Sequence, residues 1–139
     1  MELSVQDVMT PNSCAVSPEA SLMDVAHIMR ECDIGEIIVL VGDWLFGILT
    51  DHDIVRALAG GLEPETTKVG EICSREPTTV GPTASVSHAA RLMRDNAIRR
   101  LPVVDGTGHV MGVVSIGDVA LVRKGSAGLG DISGAAAAG

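Results

Sequence analysis

Two pairs of a hydroxyl residue and an aspartate are the residues of this chain best suited to chemistry. Thr50 precedes Asp53 by three positions, and Ser115 precedes Asp118 by the same spacing. A carboxylate can accept both O–H bonds of a vicinal diol such as that of a ribose. A hydroxyl group and free backbone N–H groups at the start of a helix suit a phosphate. The two pairs therefore predict contacts to the sugar and phosphate of a nucleotide-like ligand.

The same spacing also has a purely structural interpretation. Thr-x-x-Asp and Ser-x-x-Asp are similar to capping boxes, which stabilise a helix start by about 1 kcal/mol without any ligand. A hydroxyl group can serve both the cap and a ligand, so the two interpretations do not exclude each other.

The two pairs belong to an internal repeat. Residues 47–55 return 65 positions later as residues 112–120, and both segments read glycine, two apolar residues, a hydroxyl residue, two variable residues, aspartate and two apolar residues. Upstream, residues 8–11 are echoed by residues 72–75. A repeat of this kind predicts two similar structural units, with a cleft between them in which a ligand can sit.

Hydrophobic periodicity predicts the same order of elements in both copies. Each copy reads as a short lead-in helix followed by β-α-β-β-α, which places the chain in the α/β (α+β) fold class. Long helices are predicted to begin at Ser21 and Ser85, and final helices at Thr50 and Ser115. Strands are expected at 37–41 and 101–104, where apolar runs without alternation suit burial on both faces, and at about 45–50 and 109–115.

This doubled pattern resembles a pair of CBS domains, the family named for cystathionine β-synthase. The resemblance covers about residues 4–123 and is carried by the two Gly-to-Asp motifs and by two further segments, Val8-Met9-Thr10-Pro11 and Arg100-Leu101-Pro102-Val103-Val104-Asp105. The chain length, with segments 50–55 and 60–64, is similar to stand-alone CBS-pair proteins of the hypoxic-response type, which implies a role in a stress response. We therefore expect one repeat at 1–62 and a second at 63–124, each including its lead-in helix, followed by a disordered Gly/Ala tail at 125–139.

The resemblance implies a Bateman module, in which two β-α-β-β-α repeats pack about a pseudo-two-fold axis and leave two clefts. Such modules commonly bind adenosine-containing ligands such as AMP, ATP or S-adenosylmethionine, and often form homodimers. We therefore expect a non-enzymatic regulatory protein that requires no cofactor, binds an adenosine nucleotide and signals to an unidentified effector protein. The alternatives are a ligand-free interaction or structural CBS-pair protein, and a redox- or metal-responsive module that uses Cys14 and Cys32.

The basic residues predict that the two clefts differ. Arg99 and Arg100 occupy the positions that Gly35 and Glu36 occupy in the first copy, and in the family this point of the chain can reach ligand phosphates. The stronger cleft is expected to use Ser115, Asp118, Arg99 and Arg100, with adenine against Ala15, Val16 and Ile34. The weaker cleft is expected to use Thr50, Asp53, Thr79, Val80 and Ile98.

The composition argues against several other classes of partner. With a formal net charge of −8 and only two aromatic residues, Trp44 and Phe46, the chain lacks the basic surface and stacking platforms of nucleic-acid-binding proteins. No apolar run reaches the roughly 18 residues that span a bilayer, so no membrane contact is expected. The acidic start lacks the features of a secretion signal, and a cytoplasmic protein is therefore expected.

The cysteines leave one question open. Cys14, Cys32 and Cys73 show no CxxC spacing, and the favoured interpretation is three reduced, buried thiols in the cytoplasm. A Cys14–Cys32 disulfide or a site shared with histidines is the alternative, but the spacing predicts no metal ligands.

Overall fold

The computed structural model describes residues 2–10 and 14–127. Within these residues the chain forms six helices and five strands, in an order that confirms the predicted fold class. The elements are α1 (Val5–Val8), β1 (Ala15–Val16), α2 (Leu22–Cys32), β2 (Glu36–Val41), β3 (Trp44–Thr50), α3 (Asp51–Ala59), α4 (Val69–Ile72), α5 (Val86–Asp95), β4 (Arg100–Val104), β5 (Val110–Ser115) and α6 (Ile116–Ala127).

Helix α6 overlaps the first three residues of the tail expected at 125–139. It continues to Ala127, although Gly125 is less favourable in a helix than alanine by about 1 kcal/mol. Residues 128–139 lie outside the described part of the chain.

The chain divides into two compact units that do not follow the repeat boundaries expected from the sequence. The middle unit consists of residues 12–77, and the split unit consists of residues 1–11 together with 78–139. Each lead-in helix therefore packs with the β-α-β-β-α elements of the other copy of the repeat, rather than with its own.

In the split unit, backbone hydrogen bonds explain why the lead-in helix α1 packs with the second copy. Val5 on α1 is fully buried, its N–H donates to the Ala84 carbonyl at 2.8 Å, and Thr10 forms an antiparallel bridge with Val113 on β5. The first residues of the chain thus cover an edge of β5, whose N–H and C=O groups need partners.

The middle unit repeats this arrangement. Val69 on α4 is fully buried, its N–H donates to the Ala20 carbonyl at 2.8 Å, and Ser74 forms an antiparallel bridge with Ile48 on β3. The exchange is therefore a property of both copies.

The middle unit contains a three-stranded sheet in the order β1-β2-β3, in which β1 is parallel to β2 and β2 is antiparallel to β3. Helices α2 and α3 pack against this sheet. Its buried core comprises apolar residues from β2, β3, α2, α3 and α4: Leu22, Val25, Met29, Ile37, Val39, Leu49, Ile54, Ala57 and Val69.

The split unit contains the antiparallel pair β4-β5. The first strand of the predicted β-α-β-β-α order is reduced in this copy to a single parallel bridge between Val80 and Val103. The core comprises Val5, Val80, Val86, Ala89, Met93, Leu101, Val103, Val114 and Val119.

Two of the three cysteines are covalently paired, which corrects the expectation of three reduced thiols. Cys14 and Cys32 form a disulfide within the middle unit, and Cys73 is a free, half-buried thiol. Spacing could not reveal the pair, because 18 residues separate its members along the chain and only folding brings them together. Within the described residues, no helix is long and apolar enough to cross a membrane.

Candidate functional site

The first hydroxyl–aspartate pair forms a complete capping box at the junction of β3 and α3. The Thr50 hydroxyl accepts from the Asp53 N–H at 3.1 Å, and Oδ2 of Asp53 accepts from the Thr50 N–H at 3.0 Å. Extended backbone at Thr50 (φ −108°, ψ 163°) permits this geometry, because an N-cap residue lies outside the helix that it terminates.

The second pair has the same geometry at the junction of β5 and α6. The Ser115 hydroxyl accepts from the Asp118 N–H at 3.1 Å, and Oδ2 of Asp118 accepts from the Ser115 N–H at 2.9 Å. The capping interpretation is therefore confirmed in both copies. Because each cap uses only Oδ2 of its aspartate, it leaves Oδ1 for another partner.

The two aspartates differ in what contacts this second oxygen. Oδ1 of Asp53 accepts from Nη2 of Arg56 at 2.8 Å, whereas the position matching Arg56 in the second copy is Leu121, 65 residues later. No side chain in the described part of the chain donates to Oδ1 of Asp118. The second copy thus presents a carboxylate oxygen that is already oriented by the cap and still able to accept.

The surroundings of Asp53 lower the pKa of its carboxyl group. Burial opposes ionisation, but hydrogen bonds from Thr50 and the Arg56 guanidinium outweigh it and hold the pKa of Asp53 below its usual value. Asp53 is thus an ionised carboxylate whose charge Arg56 already neutralises.

The strand register places opposite charges beside the two caps. Arg100 on β4 lies directly across from Ser115 on β5, whereas Glu36 on β2 lies directly across from Thr50 on β3. Arg99 joins the same junction through its carbonyl, which accepts from the Ile116 N–H at 2.8 Å. The backbones of both arginines therefore lie beside the β5–α6 junction, and contact of their side chains with a ligand stays a prediction.

The apolar residues expected to contact a base lie at equivalent turns. Ile34 and Ile98 each follow a left-handed residue that ends a helix, Asp33 and Ala97, both with φ 54°. The N–H of Ile34 donates to Met29 at 3.0 Å, as the N–H of Ile98 does to Met93 at 2.9 Å. This Schellman-type ending fixes both isoleucines against their helices.

The remaining predicted contacts are divided between the units. Ala15 and Val16 form β1 of the middle unit, where both are half-buried. In the split unit Thr79 is exposed, and Val80, with 5% of its surface exposed, contributes mainly to the core. Each predicted cleft draws residues from both units, and that combination stays a prediction.

One contact of the site, between Arg56 and Asp53, was not predicted from the sequence, and another, the Cys14–Cys32 disulfide, was predicted only as an alternative. The pairing of Arg56 with Asp53 had a visible signal, since residues three apart face each other on a helix. The Cys14–Cys32 disulfide had no comparable local signal. Within the described residues, no group of three or more His, Cys, Asp or Glu side chains is placed to hold a metal ion.

The fold and the two matched caps define a tandem-repeat α+β protein with one candidate ligand contact per repeat. The CBS domain family matches the chain twice, at residues 5–60 and 69–125. The chain therefore belongs to the CBS-domain family and carries a CBS pair, a class of regulatory module.

Two curated relatives match over most of their length. The CBS domain-containing protein YhcV of Bacillus subtilis is 38% identical over 119 residues, which cover 85% of this chain and 84% of YhcV. Hypoxic response protein 1 of Mycobacterium tuberculosis is 34% identical over 119 residues, covering 84% of this chain and 82% of that protein.

Solved structures show the same fold. Hypoxic Response Protein I, solved with two coordinated zinc ions, superposes with a TM-score of 0.77 at 33% identity and covers 86% of this chain and 98% of its own. The CBS pair of MJ0100, in complex with 5′-methylthioadenosine and S-adenosyl-L-methionine, gives 0.77 at 27% identity and covers 91% and 99%. CBSX2 of Arabidopsis thaliana, in complex with AMP, gives 0.76 at 27% identity and covers 88% and 97%.

Proposed function

We propose that this CBS pair is a regulatory module that binds an adenosine-containing ligand, with AMP or ATP as the first candidates. The ribose contact that we assign to the higher-affinity site is Asp118. The observation that carries this proposal is the Asp118 carboxylate, which is oriented through Oδ2 by Ser115 while Oδ1 has no donor among the described side chains.

The chemistry of a ribose fits this arrangement. A charged acceptor that is already oriented makes a stronger hydrogen bond with a diol than a mobile one does, because less entropy is lost on binding. Adenosine ligands in the solved relatives MJ0100 and CBSX2 support the choice of ligand class.

Charge supports a phosphorylated ligand at Asp118 and opposes one at Asp53. Arg100 opposite Ser115 and the adjacent Arg99 bring positive charge to the α6 start, whereas Glu36 opposite Thr50 brings negative charge to the α3 start. A guanidinium binds phosphate oxygens through paired N–H donors, and a carboxylate repels them. We assign weaker binding, or a less charged ligand, to the Thr50 and Asp53 pair.

The adenine base would be held by aliphatic side chains rather than by a ring. The chain has no tyrosine and only two aromatic residues, so we retain Ala15, Val16 and Ile34 as base contacts of the higher-affinity site. Thr79, Val80 and Ile98 keep this role in the weaker one.

We further propose that the module acts as a homodimer in the cytoplasm and passes a ligand-dependent change of shape to an effector protein. A ligand shifts such an equilibrium only by its different affinities for the two shapes.

Calorimetric titration of AMP, ATP and S-adenosylmethionine tests the proposal. Asp118→Ala is expected to weaken AMP binding about 10- to 100-fold, since a hydrogen bond to a charged group contributes roughly 1.5–3 kcal/mol. Asp53→Ala is the matched control, because it removes the equivalent cap in the first copy and leaves the Asp118 site intact.

Each outcome is informative. Both variants should lose about 1 kcal/mol of stability through the lost cap, so only a difference in ligand affinity reports on the site. Stronger weakening by Asp53→Ala overturns the assignment of Asp118. Absence of saturable heat from all three ligands overturns the nucleotide proposal in favour of a ligand-free interaction protein.

A further inference from the structure

The Cys14–Cys32 disulfide joins two segments that the proposed function uses. Cys14 immediately precedes β1, which contains Ala15 and Val16, and Cys32 is the last residue of α2, two positions before Ile34. The bond therefore connects, within the middle unit, all three side chains that we assign to the base of the ligand.

Strand β1, which the disulfide joins to the end of α2, pairs with only one other strand among the described residues. β1 is two residues long and pairs with β2 through Ala15 opposite Ile38 and Val16 opposite Val39. Ala15 and Val16 are both half-buried, and Val16 packs against the buried core of this unit. A two-residue strand at the margin of the core opens more readily than the core itself does.

The second copy of the repeat lacks this bond. The positions matching Cys14 and Cys32, each 64 residues later, are Thr78 and Asn96. The tether is thus specific to the copy that contains Ala15, Val16 and Ile34, rather than a general feature of the duplicated fold.

The bond is accessible to a reductant. Cys32 is exposed and Cys14 is half-buried. A thiolate of a small-molecule dithiol attacks the sulfur of Cys32, the more exposed of the two residues, and Cys14 leaves as a thiolate that takes a proton from water. The second thiol of the reductant then releases Cys32, so two cysteine thiols and one oxidised dithiol are formed. Burial raises the pKa of the Cys73 thiol, which leaves it a poor competitor in this exchange.

We propose that the Cys14–Cys32 pair is a redox control on ligand affinity. In the oxidised protein the disulfide orders β1 against the end of α2, so that the surface for the base exists before the ligand arrives. In the reduced protein, binding must order that surface and is weakened accordingly. This inference rests on the proposed function, because the affinity that it controls is that for an adenosine ligand.

The test compares AMP affinity in oxidised and dithiol-reduced full-length protein, after thiol titration has established one thiol in the first and three in the second. Reduction is expected to raise the Kd for AMP at least about fivefold, the lower end of typical coupling between sites. Cys14→Ser/Cys32→Ser should match the reduced protein. Cys73→Ser, the control, should bind like the oxidised wild type and still respond to reduction.

A second measurement separates this inference from the proposed function. Amide hydrogen exchange of Ala15, Val16 and Ile34, without ligand, is expected to be faster in reduced than in oxidised protein. Equal Kd values in the two states overturn the redox control while leaving the nucleotide proposal intact. Absence of AMP binding in both states overturns both the proposed function and the redox control of affinity. The hydrogen-exchange data then report only on whether the disulfide orders β1. Three reactive thiols in the oxidised protein would show that the Cys14–Cys32 disulfide does not form, and would overturn the proposed redox control of affinity.

Discussion

Nη2 of Arg56 lies 2.8 Å from Oδ1 of Asp53, one helical turn along α3. In the second copy of the repeat Leu121 takes the place of the arginine, and Asp118 keeps its cap without the ion pair. The same motif, with the same hydrogen bonds at the helix start, therefore presents a neutralised carboxylate in one copy and an available one in the other.

Exchanging the residue types at positions 56 and 121 should reduce the difference in ligand affinity between the two sites. Leu121→Arg is expected to weaken adenosine binding about two- to threefold, since an exposed i,i+3 ion pair contributes roughly 0.5 kcal/mol. Arg56→Leu, tested in an Asp118→Ala background, should strengthen binding at Asp53 by a similar factor. Calorimetry with adenosine rather than AMP isolates the ribose contact from phosphate attraction.

Both side chains are largely exposed, so the exchange should leave the core intact. Unfolding midpoints of the two variants are the control and should stay near that of the wild type. Tighter adenosine binding by Leu121→Arg would show that Oδ1 of Asp118 is not the ribose acceptor.

The cap at Asp53 should make stability depend on pH in a predictable direction. The folded-state pKa of Asp53 lies below its usual value, so its contribution is present above roughly pH 4, the pKa of an unperturbed aspartate, and is lost as the pH falls through the folded pKa. The urea unfolding free energy of Asp53→Asn should therefore fall less steeply from pH 5 to pH 3 than that of the wild type. Equal slopes in the two proteins would contradict the shifted pKa.

Gly112 should tolerate no side chain. A Cβ there would lie 2.7 Å from the Thr10 carbonyl oxygen and 3.0 Å from Sδ of Met9, because the start of the chain crosses the β5 backbone at this point. Gly112→Ala is expected to lower the unfolding free energy by about 1–3 kcal/mol through overpacking.

Gly106→Ala is the matched control for this substitution. A Cβ at Gly106 meets nothing within 4 Å, and the change should be neutral or slightly stabilising because it restricts the unfolded chain. Chemical denaturation measures both variants. A neutral Gly112→Ala would show that the lead-in segment does not cross β5.

Loss of the disulfide should lower stability separately from any effect on binding. The cysteines are 18 residues apart, and a loop of that length is stabilised by about 3 kcal/mol in the chain-entropy account. Cys14→Ser/Cys32→Ser and reduced wild type should lose similar amounts. Chemical denaturation under oxidising and reducing conditions measures these losses of stability. If reductant also lowers the stability of the double variant, the effect does not come from the Cys14–Cys32 bond.

Most of the local structure could be predicted from the sequence. The apolar runs at 37–41 and 101–104 coincide with β2 and β4, and the helices following Ser21 and Ser85 begin where their hydroxyl groups accept backbone hydrogen bonds. These features depend on side-chain periodicity and on contacts three or four residues apart, which are visible in a single stretch of chain. The first strand of the second copy does not form as a regular element, because its one bridge, from Val80 to Val103, depends on a partner distant in the chain.

The sequence predicted which residues to compare and that the two copies differ in charge, whereas their role in binding a ligand stays a prediction. The repeated motif identified Asp53 and Asp118, and the paired strands brought Arg100 beside Ser115 as the spacing suggested. Whether a carboxylate oxygen remains available depends on which side chain reaches it. Arg56 reaches Asp53 in the folded helix, a contact that the three-residue spacing permits but does not require.

The duplication, the fold class and the two helix caps can be predicted from the chain alone, because the first is a repeat between two stretches of sequence and the others depend on local patterns within each stretch. Only the tertiary structure decided that each lead-in helix packs with the other copy, since the bridge from Thr10 to Val113 joins residues far apart in the chain. The same holds for the Cys14–Cys32 bond. Long-range partners are selected by which edges and cavities the folded units leave unfilled, and that information is distributed over the whole chain.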